Sequence, residues 1–430
     1  MIAVPFIYFS VLLFLVYKKN GKKIDIACYI IGIYWISALF GIILNGMDLD
    51  IGSATRYYKV SYGATFAYCG LLTLCVSPFI LFSSLRIETI AKIRNSKFLK
   101  ALAWITFLYF ILYVIISLPL LIKVLTGNIA EIRADHYSGI NEESTAISSL
   151  PFIIRLPFTF LNLFLGCPWI LIFLGFYSLI VQGLNTRYLI LFFVASLFGI
   201  IQNIAQAGRS DTVYWLFSFG ACYVFFQPFM TKNQIKKIKK FALFLIGVFM
   251  LYLLASTISR FSSTDESTQG GLVGYAGQSF VNFCYFYDNF KCPLPSLQML
   301  FPFTYLALGI SMGGIVDYQE TLSFITGEEL GVFYTFMGQI AVTSSNQIMI
   351  IYCLLLTLFS FISAIKIKKG HVSLLKSYLY LLFSSVLFLG LFSHFYGLPS
   401  KTFSAVAFAF IFARLRSVKK STSSNRLKQK

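Results

Sequence analysis

Apolar residues run along the chain in blocks of about 17 to 22 positions, the length a helix needs to cross a bilayer, with short polar or basic stretches between them. Eleven such blocks predict crossings at 2–17, 24–45, 61–82, 101–122, 157–180, 188–207, 212–230, 241–258, 346–365, 378–396 and 402–415. The expected fold class is an all-α polytopic membrane protein with about 11 transmembrane helices, forming a single membrane domain over 1–415. Three connections are long: about 46–60, 123–156 and 259–345. The last contains PLPSLQMLFPFTYLALGISMGG, an apolar stretch interrupted by Pro295 and Pro302, and a shorter apolar piece at 333–342. A crossing at the first would invert the charge pattern downstream, and the second is too short to span. Both are therefore expected as re-entrant or interfacial helices within a large outer loop.

Composition supports this reading: 58% hydrophobic residues against 12% charged excludes an ordinary water-facing globule. A net charge of +19 suggests nucleic acid until the charges are placed along the chain. The basic stretches at 18–23, 86–100, Arg187, 232–240, 366–376 and the tail from 414 alternate onto one side of the bilayer. That side collects most of the Lys and Arg, and only Asp25 and Glu88 among the acids. This is the positive-inside pattern, so the basicity reports topology and no nucleic-acid partner is expected. It places the N-terminus outside and the C-terminus in the cytoplasm. Residues 2–17 are expected as a retained first span, because Lys18, Lys19, Lys22 and Lys23 follow the apolar run instead of preceding it. The tail at 416–430 is expected to be disordered, basic and cytoplasmic, resting on anionic lipid headgroups.

The predicted spans carry few ionisable groups: Asp25 and Arg209 sit at span ends, and His394 near the outer end of its helix. This weighs against an ion-coupled carrier. There is no Walker loop, HExxH or paired CxxC, and no cofactor or metal is expected. The informative cations are Arg56, Arg133, Arg155, Arg209 and Arg260, which fall on the outer side, where topology disfavours them. Singly, each could snorkel or pair with a local acid, as Arg209 could with Asp211. As a set they point to an anionic ligand, since guanidinium forks hold phosphate bidentately. Arg209, in AQAGRSDT, precedes a helix that Ser210 can cap, and Gly208 permits close backbone approach. Arg260 opens the longest loop and is followed by Gly270, Gly271, Gly274 and Gly277, so this segment is expected to wrap a polar substrate or serve as a linker.

Candidate general bases are Asp135 and His136, which with Arg133 form the densest mixed cluster, then Glu142, Glu143, Asp265, Glu266, Asp288, and His394 near Lys401. Tyr57, Tyr58, Tyr137, Tyr275, Tyr285, Phe286 and Tyr287 could stack on sugar rings, and an interfacial aromatic belt predicts the same enrichment. Cys284 and Cys292 share the long outer loop, where an oxidising compartment could pair them.

At Gly208-Arg209-Ser210, Ser259-Arg260-Phe261 and GYAGQSFVNF the sequence resembles bacterial oligosaccharide repeat-unit polymerases, the O-antigen and capsule polymerase family often called Wzy. The layout is similar too, with many spans and a large outer loop before the last three. Family members carry arginines in two outer loops, sometimes with a glycine eleven positions later, a spacing met by Arg260 with Gly271, Arg155 with Gly166 and Arg209 with Gly220. The resemblance implies a GT-C-like fold in the bacterial cytoplasmic (inner) membrane, joining undecaprenyl-pyrophosphate-linked oligosaccharides on the periplasmic face. Membrane lipid and a chain-length regulator are the further partners it implies. In that frame Arg209 and Arg260 hold the pyrophosphate, Arg133 and Arg56 support them, and Asp135 or His136 is the base. The alternatives are an O-antigen ligase, a metal-dependent GT-C transferase using Asp48-Leu49-Asp50, and a lipid-linked oligosaccharide flippase with a polar central cavity.

Overall fold

The structure is a computed structural model and describes residues 1–46, 58–126, 151–205, 208, 210–261, 268–310, 315–330, 333–365, 367, 370–415 and 417–418. Its helices are α1 (Ala3–Lys19), α2 (Ile26–Gly46), α3 (Tyr62–Leu81), α4 (Ser96–Thr126), α5 (Phe152–Leu165), α6 (Pro168–Phe176), α7 (Thr186–Ser196), α8 (Phe198–Ala205) and α9 (Ser210–Phe226). They continue as α10 (Lys232–Phe261), α11 (Thr268–Asn289), α12 (Pro302–Ala307), α13 (Ile315–Thr326), α14 (Phe336–Thr343), α15 (Asn346–Ile365), α16 (Leu374–Phe388) and α17 (Pro399–Arg414). Among the described residues helix covers most of each apolar block read as a crossing, except that the block at 378–396 is α-helical only as far as Phe388 and continues through turns to a 3-10 turn at Phe395–Gly397. Among the described residues 5 helices are long and apolar enough to cross a membrane, or up to 6 when the bent pair α5–α6 counts as one. The chain is an all-α membrane protein. It divides into two compact units, Met1–Glu88 with Glu266–Thr402, and Thr89–Asp265 with Phe403–Lys430.

In the first unit, side chains just ahead of the apolar runs start the helices. Asp25 precedes α2, and its Oδ1 accepts the Cys28 N–H at 2.9 Å while Oδ2 accepts the Ser83 hydroxyl, so a fully buried carboxylate caps the helix. Ser61 and Ser373 do the same for α3 and α16, accepting the N–H groups of Ala64 and Lys376 at 3.0 and 3.3 Å. Polar side chains then tie the helices together. Trp35 Nε1–H donates to Ser10 Oγ at 2.7 Å, and the Tyr34 hydroxyl donates to the Leu387 carbonyl at 2.9 Å.

The glycine-rich stretch, expected to wrap a substrate or act as a linker, is helix α11, which lies along α2. Ser37 Oγ donates to the Ala276 carbonyl at 2.8 Å, and Gly277 meets the α2 backbone directly. Small residues let two helix backbones approach closely, which is the use made of Gly277 and Gly41. Phe286, near the end of α11, forms a small separate core with Tyr318, Leu322, Leu330, Tyr334 and Val342. The apolar pieces expected as re-entrant or interfacial become the 6-residue α12 and the 8-residue α14, whose residues are all buried. Cys284 and Cys292 are both free thiols, as are the other six cysteines.

The second unit is organised by aromatic packing. Phe176 lies 5.2 Å from Phe193 and 5.7 Å from Phe219, and Trp215 stacks on Phe219 at 5.3 Å. The indole N–H of Trp215 is satisfied by Ser196 Oγ at 2.7 Å. The block read as a crossing at 157–180 is broken: α5 and α6 meet at 64°, with Gly166 and Cys167 at the bend and Pro168 opening α6, where its missing N–H costs nothing. α10 starts with a capping box, in which Thr231 Oγ1 accepts the Gln234 N–H and Gln234 Oε1 accepts the Thr231 N–H. Ahead of α4, the Tyr177 hydroxyl donates to the Ala91 carbonyl at 2.8 Å, and Lys92–Ile93 pairs antiparallel with Ser417–Val418.

Candidate functional site

Arg56, Arg133, Asp135, His136 and Arg209 lie outside the described residues, as do Asp48, Asp50, Glu142, Glu143, Asp265 and Glu266. Arg260 is carried on the last turn of α10, and its side chain is outside what the structure describes. The settings of some of these positions are defined. A Cβ on Gly208 would sit 2.5 Å from Asn203 Nδ2, so the close approach this glycine permits is used by Asn203, whose carbonyl also accepts the Gly208 N–H at 2.7 Å. Asp211 occupies the first turn of α9, where a carboxylate complements the helix dipole. Arg155 is exposed on α5 with its guanidinium 5.9 Å from the Phe152 ring centroid. Of the glycines matched to the arginines, Gly166 follows α5, whereas Gly220 and Gly271 lie inside α9 and α11.

Three residues singled out separately in the sequence come together in the first unit: Tyr58, Tyr285 and Asp288. Tyr58 stands just before α3, and the other two are on the last turns of α11. The Tyr58 hydroxyl donates to Asp288 Oδ2 and lies 3.1 Å from the Cys284 carbonyl. Its ring meets Tyr285 edge-on, with centroids 5.5 Å apart at 85°. Tyr285 in turn donates its hydroxyl to Glu328 Oε1 at 2.9 Å. Burial, then the adjacent Asp288 carboxylate, pushes the Tyr58 phenol above the ordinary tyrosine range. It is therefore a hydrogen-bond donor at neutral pH. Asp288 is exposed, so its carboxylate can be reached from solvent. An open carboxylate beside two aromatic rings suits a polyhydroxylated ligand: rings offer stacking faces, and the carboxylate accepts hydroxyl protons.

His394 is placed differently. It is 4% exposed, its backbone N–H donates to Gln339 Oε1, its ring lies edge-on to Tyr352 at 5.3 Å, and its Nδ1 has no hydrogen-bond partner among the described residues. Lys401 is held over Phe395, with Nζ 5.2 Å from the ring centroid. Sequence reasoning passed over Glu328 and Gln339, because neither belongs to a motif and their partners are distant in the chain. Neither a known protein family, nor a curated protein, nor a solved structure matches this chain.

Proposed function

We propose that this protein polymerises undecaprenyl-pyrophosphate-linked oligosaccharide repeat units on the periplasmic face of the bacterial inner membrane, as a GT-C-like glycosyltransferase with about 11 crossings. The observation that carries the reading is the grouping of Tyr58 and Tyr285 around the exposed Asp288 carboxylate, at the chain ends of helices that the charge pattern turns outward. In the reaction an acceptor hydroxyl attacks the anomeric carbon of the donor. Its proton passes to a base, and the bond to the pyrophosphate breaks with the electron pair leaving on the diphosphate. That leaving group needs cations more than acid help. Arg209 and Arg260 take this role, with Arg133 and Arg56 in support. Arg209 stands immediately before α9 and Arg260 on the last turn of α10, positions at helix ends where a lipid-borne diphosphate can be met. Asp135 or His136 is the base, and Asp288 joins them as a third candidate that the geometry supports. A chain-length regulator and membrane lipid are the partners.

The test is a deletion strain examined for the length of its lipopolysaccharide or capsule ladder, complemented with Arg209→Ala, Arg260→Ala, Asp135→Asn and Asp288→Asn. Single-repeat product from the deletion and from the arginine variants supports polymerisation. Complete loss of surface repeats points to a ligase or flippase. A full ladder from both arginine variants removes the pyrophosphate assignment, and EDTA-sensitive polymer formation would favour a metal at Asp48 and Asp50.

A further inference from the structure

In the second unit an open cavity of about 450 Å³ is lined by Ile93, Arg94, Asn95, Arg414 and Leu415. Its two guanidinium groups come from segments far apart in sequence, both exposed, and no acidic side chain is among the lining residues. The backbone beneath them is fixed. The Ala91 carbonyl is held by the Tyr177 hydroxyl and the Ile93 carbonyl by Gln182 Nε2 at 3.5 Å, while Lys92–Ile93 pairs with Ser417–Val418, just past Arg414. Asn95 Oδ1 accepts the Lys97 N–H at 3.1 Å, capping the start of α4.

The positive-inside bias accounts for cations on this side of the chain, but not for two arginines brought to one cavity by a strand pairing. The depth is also informative. α4 is long and apolar enough to cross a bilayer, and Asn95 of the cavity immediately precedes its first residue, so a crossing by α4 would set the cavity at the level of the lipid headgroups. We infer that this cavity binds the phosphate of an anionic lipid headgroup, with Arg94 and Arg414 as its two forks. A guanidinium pair is geometrically matched to phosphate oxygens, and a phosphodiester supplies the negative charge that the cavity lining lacks. Occupancy bridges residue 94 to residue 414, fastening the start of the basic tail to the segment before α4. The assignment stands apart from the polymerase reading.

The experiment uses the full chain in detergent, titrated with phosphatidylglycerol and followed by native mass spectrometry, for the wild type, for Arg94→Gln with Arg414→Gln, and for Lys236→Gln as an exposed cation on α10 that does not line the cavity. The double glutamine variant is expected to lose roughly tenfold or more in affinity, the scale of two charge-assisted contacts, and Lys236→Gln to bind as the wild type does. Replacing both arginines by lysine, which keeps charge without the fork, is expected to recover part of the loss. Binding by the double glutamine variant equal to wild type overturns the site, as does an equal loss in Lys236→Gln, which would mean diffuse attraction. A second arm titrates inorganic phosphate and glycerol 3-phosphate. If these bind as tightly as the lipid, the ligand is a soluble phosphate and the lipid assignment falls.

Discussion

Gly277 of α11 faces Phe40 of α2 so closely that a Cβ at 277 would lie 2.6 Å from the Phe40 carbonyl carbon. No side chain fits there without moving a backbone. Gly277→Ala is therefore expected to destabilise the protein by about 1–3 kcal/mol, the range for overpacking a fitted contact. Gly247, inside α10 with nothing within 4 Å, is its control. There alanine should be neutral or stabilising by roughly 0.5–1 kcal/mol. Melting temperatures of the two variants in one detergent decide the matter, and equal shifts would remove the close-packing account.

Asp25 is buried, and both its oxygens are occupied by the Cys28 N–H and the Ser83 hydroxyl. Asp25→Ala removes the cap and leaves two donors unsatisfied, at a cost of about 2 kcal/mol or more. Asp25→Asn keeps an acceptor for Cys28 and should cost clearly less. Denaturation curves that rank asparagine as the worse substitution would contradict a capping role.

The Tyr58–Asp288 contact predicts a pH response. The Tyr58 proton is held more tightly in the folded protein than in the unfolded chain. Its contribution is thus fully present below the usual tyrosine range and lost only as pH rises through the elevated folded value. In protein labelled at the tyrosine ζ carbon, the resonance missing from Tyr58→Phe should remain that of a phenol at about pH 10, where a free tyrosine is half ionised. Asp288→Asn should bring its titration down. If Asp288 also serves the substrate, the asparagine variant shortens the polymer ladder, whereas Tyr58→Phe lowers activity less.

Cysteine labelling separates the thiols. Cys292 is half-buried and the other seven are buried. A maleimide should modify one site in the folded protein, absent in Cys292→Ser, and all of the thiols after denaturation. Rapid labelling of Cys284, whose thiol lies beside Thr65 and Cys69, would mean that α11 is not seated along α3. An impermeant maleimide added to intact spheroplasts also reports the side on which residue 292 lies.

Hydropathy alone located the helices made of apolar blocks, because burying a run of side chains in lipid needs no distant partner. It did not mark α11, whose sequence TQGGLVGYAGQSFVNFCYFYDN is rich in glycine and polar residues. That helix is stabilised by contacts with α2 and α3, such as Tyr68 against Phe280 and Phe283 at 4.9 and 5.3 Å, which no local pattern encodes. Pro168 falls inside the block read as one crossing at 157–180, and no local pattern there gives the 64° angle. At the candidate site, Tyr58, Tyr285 and Asp288 were each legible as residue types suited to sugars, while their meeting depends on how α3 and α11 pack. Glu328 offered no signal, since a carboxylate after a helix end reads as an ordinary solvated residue.

The bend between α5 and α6 sets how much bilayer that part of the chain can cover. At about 1.5 Å per residue, Pro168–Val181 rises about 21 Å and Arg155–Leu165 about 16 Å, so a straight rod of both would overshoot a hydrocarbon layer of roughly 30 Å. With Pro168–Val181, which is α6 and the π-helical turn Tyr177–Val181 after it, set upright and Arg155–Leu165 of α5 inclined at 64° to it, the second piece adds only about 7 Å of height. Counted as one span, the pair would then reach about 28 Å, a height that fits the hydrocarbon layer through the bend instead of through tilting of the whole rod.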